Sequence, residues 1–241
     1  MQRAKPTIIM PTLYSGKSGR KTQASENIRK GPITQFKNSE TLNIFHALAT
    51  LPSSSYLTFA SGGYIIHISP IAIVRRISGG GAVYHDLGNL NYTVIANIGK
   101  NGLPMDTLKT YKFISECLIE GLKHLIIQLN FLPPNTILLN EKKVGGMAQH
   151  LLYNVTLIHG TILVNANLEL MKKLIKIKIP VINLSETKNI SLNEVKENLL
   201  KGFKIKLQTA FINSFFTQNE LKLAKKLLKI KYSKKWWNLQ N

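Results

Sequence analysis

Short apolar runs rich in β-branched residues dominate the first two thirds of the chain. Three of them follow one another at residues 64–68, 71–74 and 92–96, separated by Pro70 and by a run of three glycines. Runs of this length, bounded by proline and glycine, are typical of β-strands. The pattern therefore predicts neighbouring strands of one sheet. Three later runs of the same character predict further strands, at residues 136–139, 156–158 and 161–164.

Two other parts of the chain have the period of an α-helix. Over residues 104–126 apolar side chains recur every three or four positions, and Asp106 stands where an N-cap is expected. This spacing predicts an amphipathic helix packed on the sheet. Past residue 183 the helical period returns. Capping boxes are predicted there by two pairs, Ser191 with Glu194 and Thr217 with Glu220. We therefore expect a large domain over residues 1–185 and a small helical C-terminal segment over residues 186–241.

The composition excludes several classes of protein. The 241 residues are 44% hydrophobic and include one cysteine, Cys117, so neither a disulfide scaffold nor a disordered chain is expected. No window approaches the ~18 uninterrupted apolar residues of a membrane span. A single cysteine also indicates either a reducing compartment or a protein that is indifferent to redox state.

The charge is strongly positive and unevenly placed. The chain carries 32 basic and 12 acidic side chains, and residues 161–241 hold 16 of the basic and 5 of the acidic ones. This lysine-rich tail, with Trp236 and Trp237, leaves open a non-catalytic basic protein that binds nucleic acid or a membrane surface. Lys225, Lys226 and Lys229 are better explained as the solvated face of the last helix.

The most informative segment covers residues 75–89, Arg-Arg-Ile-Ser-Gly-Gly-Gly-Ala-Val-Tyr-His-Asp-Leu-Gly-Asn. Three glycines after a buried strand expose peptide N–H groups, against which a flat or extended ligand can lie. Arg75 and Arg76 could fork onto a carboxylate or a phosphate. A glycine-rich hairpin with satisfied polar side chains explains the same residues, and the segment alone does not decide between the two.

Two further segments carry candidate chemistry. Residues 142–149, Lys-Lys-Val-Gly-Gly-Met-Ala-Gln, predict an exposed turn over which a lysine reaches an acyl phosphate or a carbonyl oxygen. A solvated lysine in a hairpin turn is the alternative. Residues 159–165, His-Gly-Thr-Ile-Leu-Val-Asn, place a histidine and a glycine before a strand. The six histidines never have the spacing of metal ligands, so no metal site is expected.

Together and in this order, the three segments resemble the lipoate–protein ligase family, within the superfamily of biotin and lipoate protein ligases and octanoyltransferases. The family signature of two arginines, a glycine run, Val-aromatic-His-Asp and Gly-Asn is matched from Arg75 to Asn89. Its lysine motif is matched by residues 143–148, and its His-Gly-Thr strand entrance by residues 159–161. The ending from Lys231 to Asn238 resembles that of compact, archaeal-like members.

The resemblance implies an α/β (α+β) fold of mixed, largely antiparallel sheets packed with helices, with residues 1–185 as the acyl-ligase catalytic domain. It implies that lipoate or octanoate attacks the α-phosphate of ATP, with Mg²⁺ as co-substrate ion, to give an acyl-adenylate. The acyl group then passes to the ε-amine of a lysine on an acceptor domain. Lys143 is the implied catalytic residue, because a fixed ammonium stabilises negative charge on both transition states.

Further residues are implied to bind the substrate and the acyl-adenylate. They are Arg75, Ser78, Gly79, Gly80, Gly81, Val83, His85, Asp86, Asn89, Gly146, Ala148, His159 and Gly160. The implied partner is the lipoyl domain of a 2-oxoacid dehydrogenase or a glycine-cleavage H-type protein, acidic around its target lysine, and the implied location is cytoplasmic. Neither nucleic acid nor membrane is an implied partner.

The chain departs from the family pattern near its N-terminus. Only a remnant of the expected helix is recognisable at residues 23–28, an Arg-x-Gln segment is not recognisable at 41–46, and an acidic residue expected at 134–136 is missing. Some archaeal relatives divide the ligase over two chains. A second ligase subunit is therefore a further implied partner.

The main alternative is an octanoyltransferase or lipoyltransferase, which takes its acyl group from a carrier without ATP. Some of these enzymes form a cysteine thioester in a loop before the lysine or after the His-Gly strand. Neither region holds a cysteine, and Cys117 lies in the predicted helix, so thioester transfer is disfavoured. A cysteine-free acyltransferase or a biotin ligase stays open.

Overall fold

The computed structural model describes residues 7–9, 56–59, 72–99, 102–208, 211 and 218–239. Within these residues no helix is both long enough and apolar enough to span a bilayer. Several predictions lie outside the described residues: the strand at 64–68, the Thr217 half of the second capping box, and the N-terminal segments 23–28 and 41–46.

The described strands form two sheets. In chain order they are β1 (Thr7–Ile9), β2 (Tyr56–Phe59), β3 (Ala72–Arg75), β4 (Val83–His85), β5 (Asn89–Asn97), β6 (Asn130–Leu132), β7 (Thr136–Leu139), β8 (Lys142–Leu152) and β9 (Val155–Leu163). The larger sheet has the order β1-β5-β9-β8-β7-β6 with antiparallel neighbours. The smaller sheet, β3-β2-β4, pairs β2 with β3 in parallel and with β4 antiparallel. The mixed, largely antiparallel fold is confirmed.

Two strand predictions are wrong. The runs at 71–74 and 92–96 are not neighbours in one sheet, because the turn between β4 and β5 carries the chain from the smaller sheet to the larger one. The runs at 156–158 and 161–164 belong to one strand, β9. Backbone pairing with β5 and β8 on both sides keeps His159 and Gly160 within the ladder.

Helices form in both predicted regions, and one further short helix that was not predicted forms between β9 and residue 183. They are α1 (Thr107–Lys123), α2 (Leu168–Leu174), a 3₁₀ turn (Leu184–Glu186), α3 (Leu192–Leu207), α4 (Gln218–Leu227), a π-helical turn (Leu228–Tyr232) and α5 (Lys235–Asn238). Asp106 caps α1 by accepting a hydrogen bond from the Lys109 N–H at 2.7 Å. Ser191 and Glu194 form the predicted capping box of α3. Leu108, at the start of the predicted apolar stripe, is 48% exposed.

Helices α1 and α3 pack on one face of the larger sheet. They approach closely at Gly121, where a Cβ would lie 2.6 Å from the Asn198 carbonyl oxygen. The buried core on this side includes Tyr92, Val94, Ile114, Cys117, Leu118, Leu122, Ile158, Ile162, Val195, Leu199 and Phe203. The α3 helix thus shares this core, and the domain boundary at residue 185 stays a prediction.

The opposite face of the larger sheet meets the smaller sheet and α2. A second buried cluster lies there, with Tyr84, Leu163, Ala166, Met171 and Leu174 at its centre and Ile73 packed against it. Because side chains alternate along a strand, Leu163 points to this side and Ile162 to the helices. The candidate site lies on this second face.

Candidate active site

A neighbouring arginine holds the glycine turn (Gly79, Gly80 and Gly81) in place. The Arg76 guanidinium donates hydrogen bonds to the carbonyls of Gly79 at 2.8 Å and Gly81 at 2.9 Å. Gly80 has φ +103°, a conformation that favours glycine. Arg76 is only 5% exposed, and burial lowers its pKa to about 10. The prediction that both arginines fork onto a ligand is therefore wrong for Arg76, which holds the turn itself.

Ser78 connects the glycine turn to the larger sheet. Its hydroxyl accepts a hydrogen bond from Arg76 Nε at 3.1 Å and is hydrogen-bonded to Nε2 of His159 on β9. Burial, together with the nearby charge of Arg76, lowers the pKa of His159 to about 3. The imidazole is therefore neutral near pH 7 and positions Ser78 without adding positive charge.

Asp86 and Asn89 fold the turn between the two sheets. The Asp86 carboxylate accepts hydrogen bonds from the N–H groups of Gly88 and Asn167 and from the Tyr84 hydroxyl, each at 2.8 Å. Asn89 accepts from the Asp86 N–H at 3.0 Å and donates to Thr161 Oγ1 at 3.2 Å. These contacts fix the chain where it crosses between sheets, so both residues shape the site through its backbone.

His85 lies at the same crossing, two residues after Val83 of β4. Its Nδ1 lies 3.1 Å from Oδ1 of Asn91 on β5. Burial lowers the pKa of His85 to about 4, so this ring is also neutral near pH 7. Both histidines of the site are thus uncharged, and the positive charge facing a ligand comes from basic side chains of other types.

The segment that holds the candidate lysine is a strand, and the predicted exposed turn is wrong. Residues 142–149 lie in β8, which pairs with β7 on one side and β9 on the other. The Lys143 N–H also donates to the Pro180 carbonyl at 2.7 Å, and its carbonyl accepts from the Ile182 N–H at 3.1 Å. Glycines at 145 and 146 disfavour a strand locally, but this pairing on both edges overrides that tendency.

A β-bulge determines the direction of Lys143. The register between β7 and β8 shifts so that Ile137 pairs with Gly145 and Leu138 with Lys143, which leaves Val144 as an extra residue. Such a bulge redirects the neighbouring side chains. The ammonium of Lys143 consequently lies over Gly146, where a Cβ would be 3.2 Å from both Cε and Nζ. Partial burial lowers the pKa of Lys143.

Sheet register brings several predicted residues to one face. Gly146 pairs with Thr161, and Ala148 pairs with His159. Directly paired residues point to the same side, so these positions share the face on which Lys143 lies. His159 extends from it to Ser78, and Thr161 extends to Asn89.

Gly160 has a different orientation from its neighbours. A Cβ there would lie 2.5 Å from Cζ of Tyr92 and 2.7 Å from the Gly146 carbonyl oxygen, on the side of the helical core. Close packing of Tyr92 therefore explains why position 160 is a glycine. The role of Gly160 in substrate binding stays a prediction, and only its backbone N–H and C=O groups could contact a substrate.

Arg75 lies at the end of β3, beside the glycine turn. Because Ile73 packs in the cluster between the two sheets and side chains alternate, the Arg75 side chain points to the same side. It is 3% exposed. The structure thus brings Arg75, the glycine turn, His159 and Lys143 to one side of the larger sheet.

Three contacts in the site were not anticipated from the sequence. Arg76 braces the turn, Asn91 contacts His85, and Thr161 contacts Asn89. Each contact joins segments that the strand register brings together, and nothing in the local sequence marks it. Among the described residues, no group of three or more histidine, cysteine, aspartate or glutamate side chains is arranged to hold a metal ion.

The one cysteine of the chain lies away from this site. Cys117 is fully buried in the core between α1 and the opposite face of the larger sheet. Burial raises the pKa of its thiol to about 12. It therefore has neither the exposure nor the thiolate character that a nucleophilic cysteine needs.

Comparison with known proteins identifies the family of the chain. Residues 66–204 match the family described as the lipoyl protein ligase A/B catalytic domain. Lipoate-protein ligase A subunit 1 of Thermoplasma acidophilum is 31% identical over 192 residues, covering 70% of this chain and 72% of that protein. Octanoyltransferase LipM of Brevibacillus brevis is 28% identical over 208 residues, covering 70% of this chain and 75% of the relative.

Solved structures show the same fold. A bipartite lipoate protein ligase from Thermoplasma acidophilum, studied with its E2 lipoyl domain, superposes with a TM-score of 0.68 at 26% identity, covering 77% of this chain and 80% of that one. A lipoate-protein ligase A bound with ATP gives 0.66 at 27% identity, covering 77% and 82%. Because the family model matches more than half of the chain, the chain belongs to the lipoyl protein ligase A/B catalytic domain family, and its relatives include lipoate ligases and octanoyltransferases.

Proposed function

We propose that this chain is a lipoate–protein ligase that uses ATP to activate lipoate or octanoate. A carboxylate oxygen of the acid forms a bond to the α-phosphorus of ATP, and pyrophosphate leaves. The ε-amine of a lysine on a lipoyl acceptor domain then attacks the acyl carbonyl, the amine loses a proton, and AMP leaves. The products are the acylated lysine, AMP and pyrophosphate.

The observation that carries this proposal is the combination of a placed lysine with an inaccessible cysteine. The Lys143 ammonium lies over Gly146 on the face shared with Ala148 and His159. Cys117 is buried behind the same sheet. Transfer through a cysteine thioester is therefore not available to this chain, whereas stabilisation of phosphate and carbonyl oxygens by an ammonium is.

The remaining roles follow from the same arrangement. Lys143 would contact the α-phosphate and the acyl carbonyl oxygen, while the N–H groups of the glycine turn and the Arg75 guanidinium would bind the acid and the phosphate. Ser78 and the neutral His159 would set the position of the turn. Asp86 is engaged by three donors, and no step of the proposal depends on Mg²⁺ bound by the chain.

A carrier-dependent octanoyltransferase is the second candidate. The similarity to octanoyltransferase LipM, over as much of the chain as the similarity to the ligase subunit, favours it. Because Cys117 is buried, such an enzyme would have to transfer the acyl group directly from carrier to acceptor. The lipoyl domain and a second ligase subunit are the proposed protein partners, since ligase subunit 1 and the bipartite ligase are among the relatives.

The deciding experiment offers the protein two acyl sources. One reaction contains lipoate, ATP, Mg²⁺ and a lipoyl acceptor domain, and the other contains octanoyl carrier protein and the acceptor without ATP. Intact mass reports the acylated acceptor, and an acceptor with its target lysine changed to arginine is the control. Modification only with ATP supports the ligase. Modification from the carrier alone would replace it with the transferase.

A second arm separates activation from transfer. Lipoate-dependent exchange of labelled pyrophosphate into ATP reports adenylate formation without any acceptor. Exchange without acylation of the acceptor would place activation in this chain and transfer in a two-subunit assembly. If the protein shows no pyrophosphate exchange and no acylation, whether alone or with the second subunit, the proposal is contradicted.

A further inference from the structure

The last turn of the chain holds the strand that leads into the glycine turn. Oδ1 of Asn238 accepts a hydrogen bond from the Arg75 N–H at 2.9 Å, and the indole N–H of Trp237 donates to the Arg75 carbonyl at 3.0 Å. Among the strands that the structure describes, β3 lies at an edge of its sheet, so no described strand pairs with its outer peptide groups. Two side chains from the far end of the chain thus take the place of a strand at Arg75.

These two side chains are themselves held in position. Nδ2 of Asn238 donates to the Tyr232 carbonyl at 2.8 Å. The Trp237 ring packs edge-on against Tyr232, with 5.5 Å between ring centroids, and Lys231 Nζ lies 4.2 Å from the Trp237 centroid. Both groups that contact Arg75 therefore have fixed orientations.

A second contact reinforces the first. Ile77, two residues after Arg75, packs in a small cluster with residues of α4, the π-helical turn and α5, namely Leu223, Leu227, Tyr232 and Trp237. The tail thus contacts the chain at positions 75 and 77. Arg76, between them, donates its hydrogen bonds to the glycine turn.

We propose that Trp237 and Asn238 are positioning residues, which fix the Arg75 backbone and so place the Arg75 guanidinium and the glycine turn against the acyl substrate. This inference rests on the proposed function, because it assigns Arg75 and the turn to the binding of lipoate. Trp237 and Asn238 then control the affinity for lipoate and leave the reaction at Lys143 unchanged. A tail that only stabilised the fold would lower the melting temperature and leave lipoate binding as it is.

The test compares identical substitutions at two adjacent tryptophans in the full chain. Trp237→Phe keeps an aromatic ring but removes the donor to Arg75, whereas Trp236→Phe changes a side chain that is 55% exposed. Loss of one such hydrogen bond corresponds to about a three- to tenfold effect. We expect Trp237→Phe to raise KM for lipoate by about this factor in pyrophosphate exchange, with kcat within about twofold of the wild type. Trp236→Phe should leave both constants unchanged.

A second readout does not depend on activity. Asn238→Ala should accelerate hydrogen exchange of the Arg75 amide, because that N–H loses its acceptor, and should leave amides in the middle of β9 unchanged. If the wild type binds no lipoate, the proposed function fails, and the exchange rate at Arg75 still decides whether the tail holds the strand. Unchanged exchange at Arg75, or equal KM values in the two tryptophan variants, would overturn the inference.

Discussion

Nζ of Lys143 lies over Gly146, close enough that a Cβ at that position would be 3.2 Å from it. Residues three apart in a regular strand point to opposite faces of the sheet. The bulge at Val144 removes this mismatch and places the two residues on the same face. An irregularity of β8 thus aims the candidate catalytic lysine.

Adding a methyl group at Gly146 should displace the lysine without harming the fold. The nearest atoms to a Cβ there would be the flexible end of Lys143 and the Asn135 carbonyl oxygen, the latter at 3.7 Å. We expect Gly146→Ala to lower kcat of adenylate formation by about tenfold, since small misplacements of catalytic groups are costly. The melting temperature should stay close to that of the wild type.

The neighbouring glycine provides the matched control. A Cβ at Gly145 would lie 2.7 Å from both Ile162 Cδ1 and the Thr161 carbonyl oxygen, inside the packed sheet. Gly145→Ala should therefore cost about 1–3 kcal/mol in the free energy of unfolding. If Gly146→Ala keeps full kcat, or unfolds as readily as Gly145→Ala, Lys143 is not placed as described.

The two neutral histidines should make the protein sensitive to acid. Burial is the main cause that lowers the pKa of His159 to about 3 and of His85 to about 4, against 6.5 for an ordinary histidine. At pH values between these folded-state values and 6.5, the unfolded chain binds protons that the folded chain does not. The free energy of unfolding should therefore decrease as the pH falls from 7 to 4.

His159→Gln should reduce this dependence, because glutamine does not titrate. Urea unfolding at a series of pH values gives the slope directly. The control is His124→Gln, at an exposed side chain just after α1. Equal slopes in the wild type and His159→Gln would show that His159 is not buried in its neutral form.

The basic tail should guide the acceptor to the enzyme. Lys225 and Lys226 of α4 are exposed, in the part of the chain with the largest excess of positive charge. Fields of this kind accelerate the encounter with an acidic partner and weaken as salt is added. We expect kcat/KM for the acceptor domain to fall between 50 and 300 mM salt, chosen as about the range over which screening develops, and adenylate formation to change little.

Reversing the charge of selected lysines tests which surface causes the salt dependence of kcat/KM. Lys225→Glu with Lys226→Glu should lower kcat/KM for the acceptor and flatten its salt dependence. The same change at Lys109 and Lys112, which are exposed on α1, should have a smaller effect. Acyl transfer that is insensitive to salt and to both reversals would remove any role of the tail charge in docking.

Local signals in the sequence predicted α1, its Asp106 cap and the capping box of α3. They did so because an N-cap and an apolar stripe involve residues within one or two turns. The same approach failed for residues 142–149, where two adjacent glycines resemble a turn. Pairing with β7, β9 and residues 180–182 makes this segment a strand, and such pairing is set by distant residues.

The candidate site was likewise predictable only in part. The resemblance to the lipoate–protein ligase family implied that Lys143, the glycine turn and His159 belong to one site. The contacts that position them join distant residues, such as Ser78 with His159 and Trp237 with the Arg75 carbonyl, 162 positions apart. Only the register of the sheets and the docking of the tail bring these pairs together, so neither contact could be anticipated.

The most direct test of the central claim, that Lys143 stabilises formation of the acyl-adenylate, is lipoate-dependent pyrophosphate exchange in two adjacent lysine variants. Lys143→Met removes the ammonium over Gly146, and Lys142→Met removes one from an exposed side chain. We expect Lys143→Met to lose about 100- to 1,000-fold in rate, as when other transition-state donors are removed, and Lys142→Met to retain nearly the wild-type rate. Comparable rates in the two variants would contradict the claim.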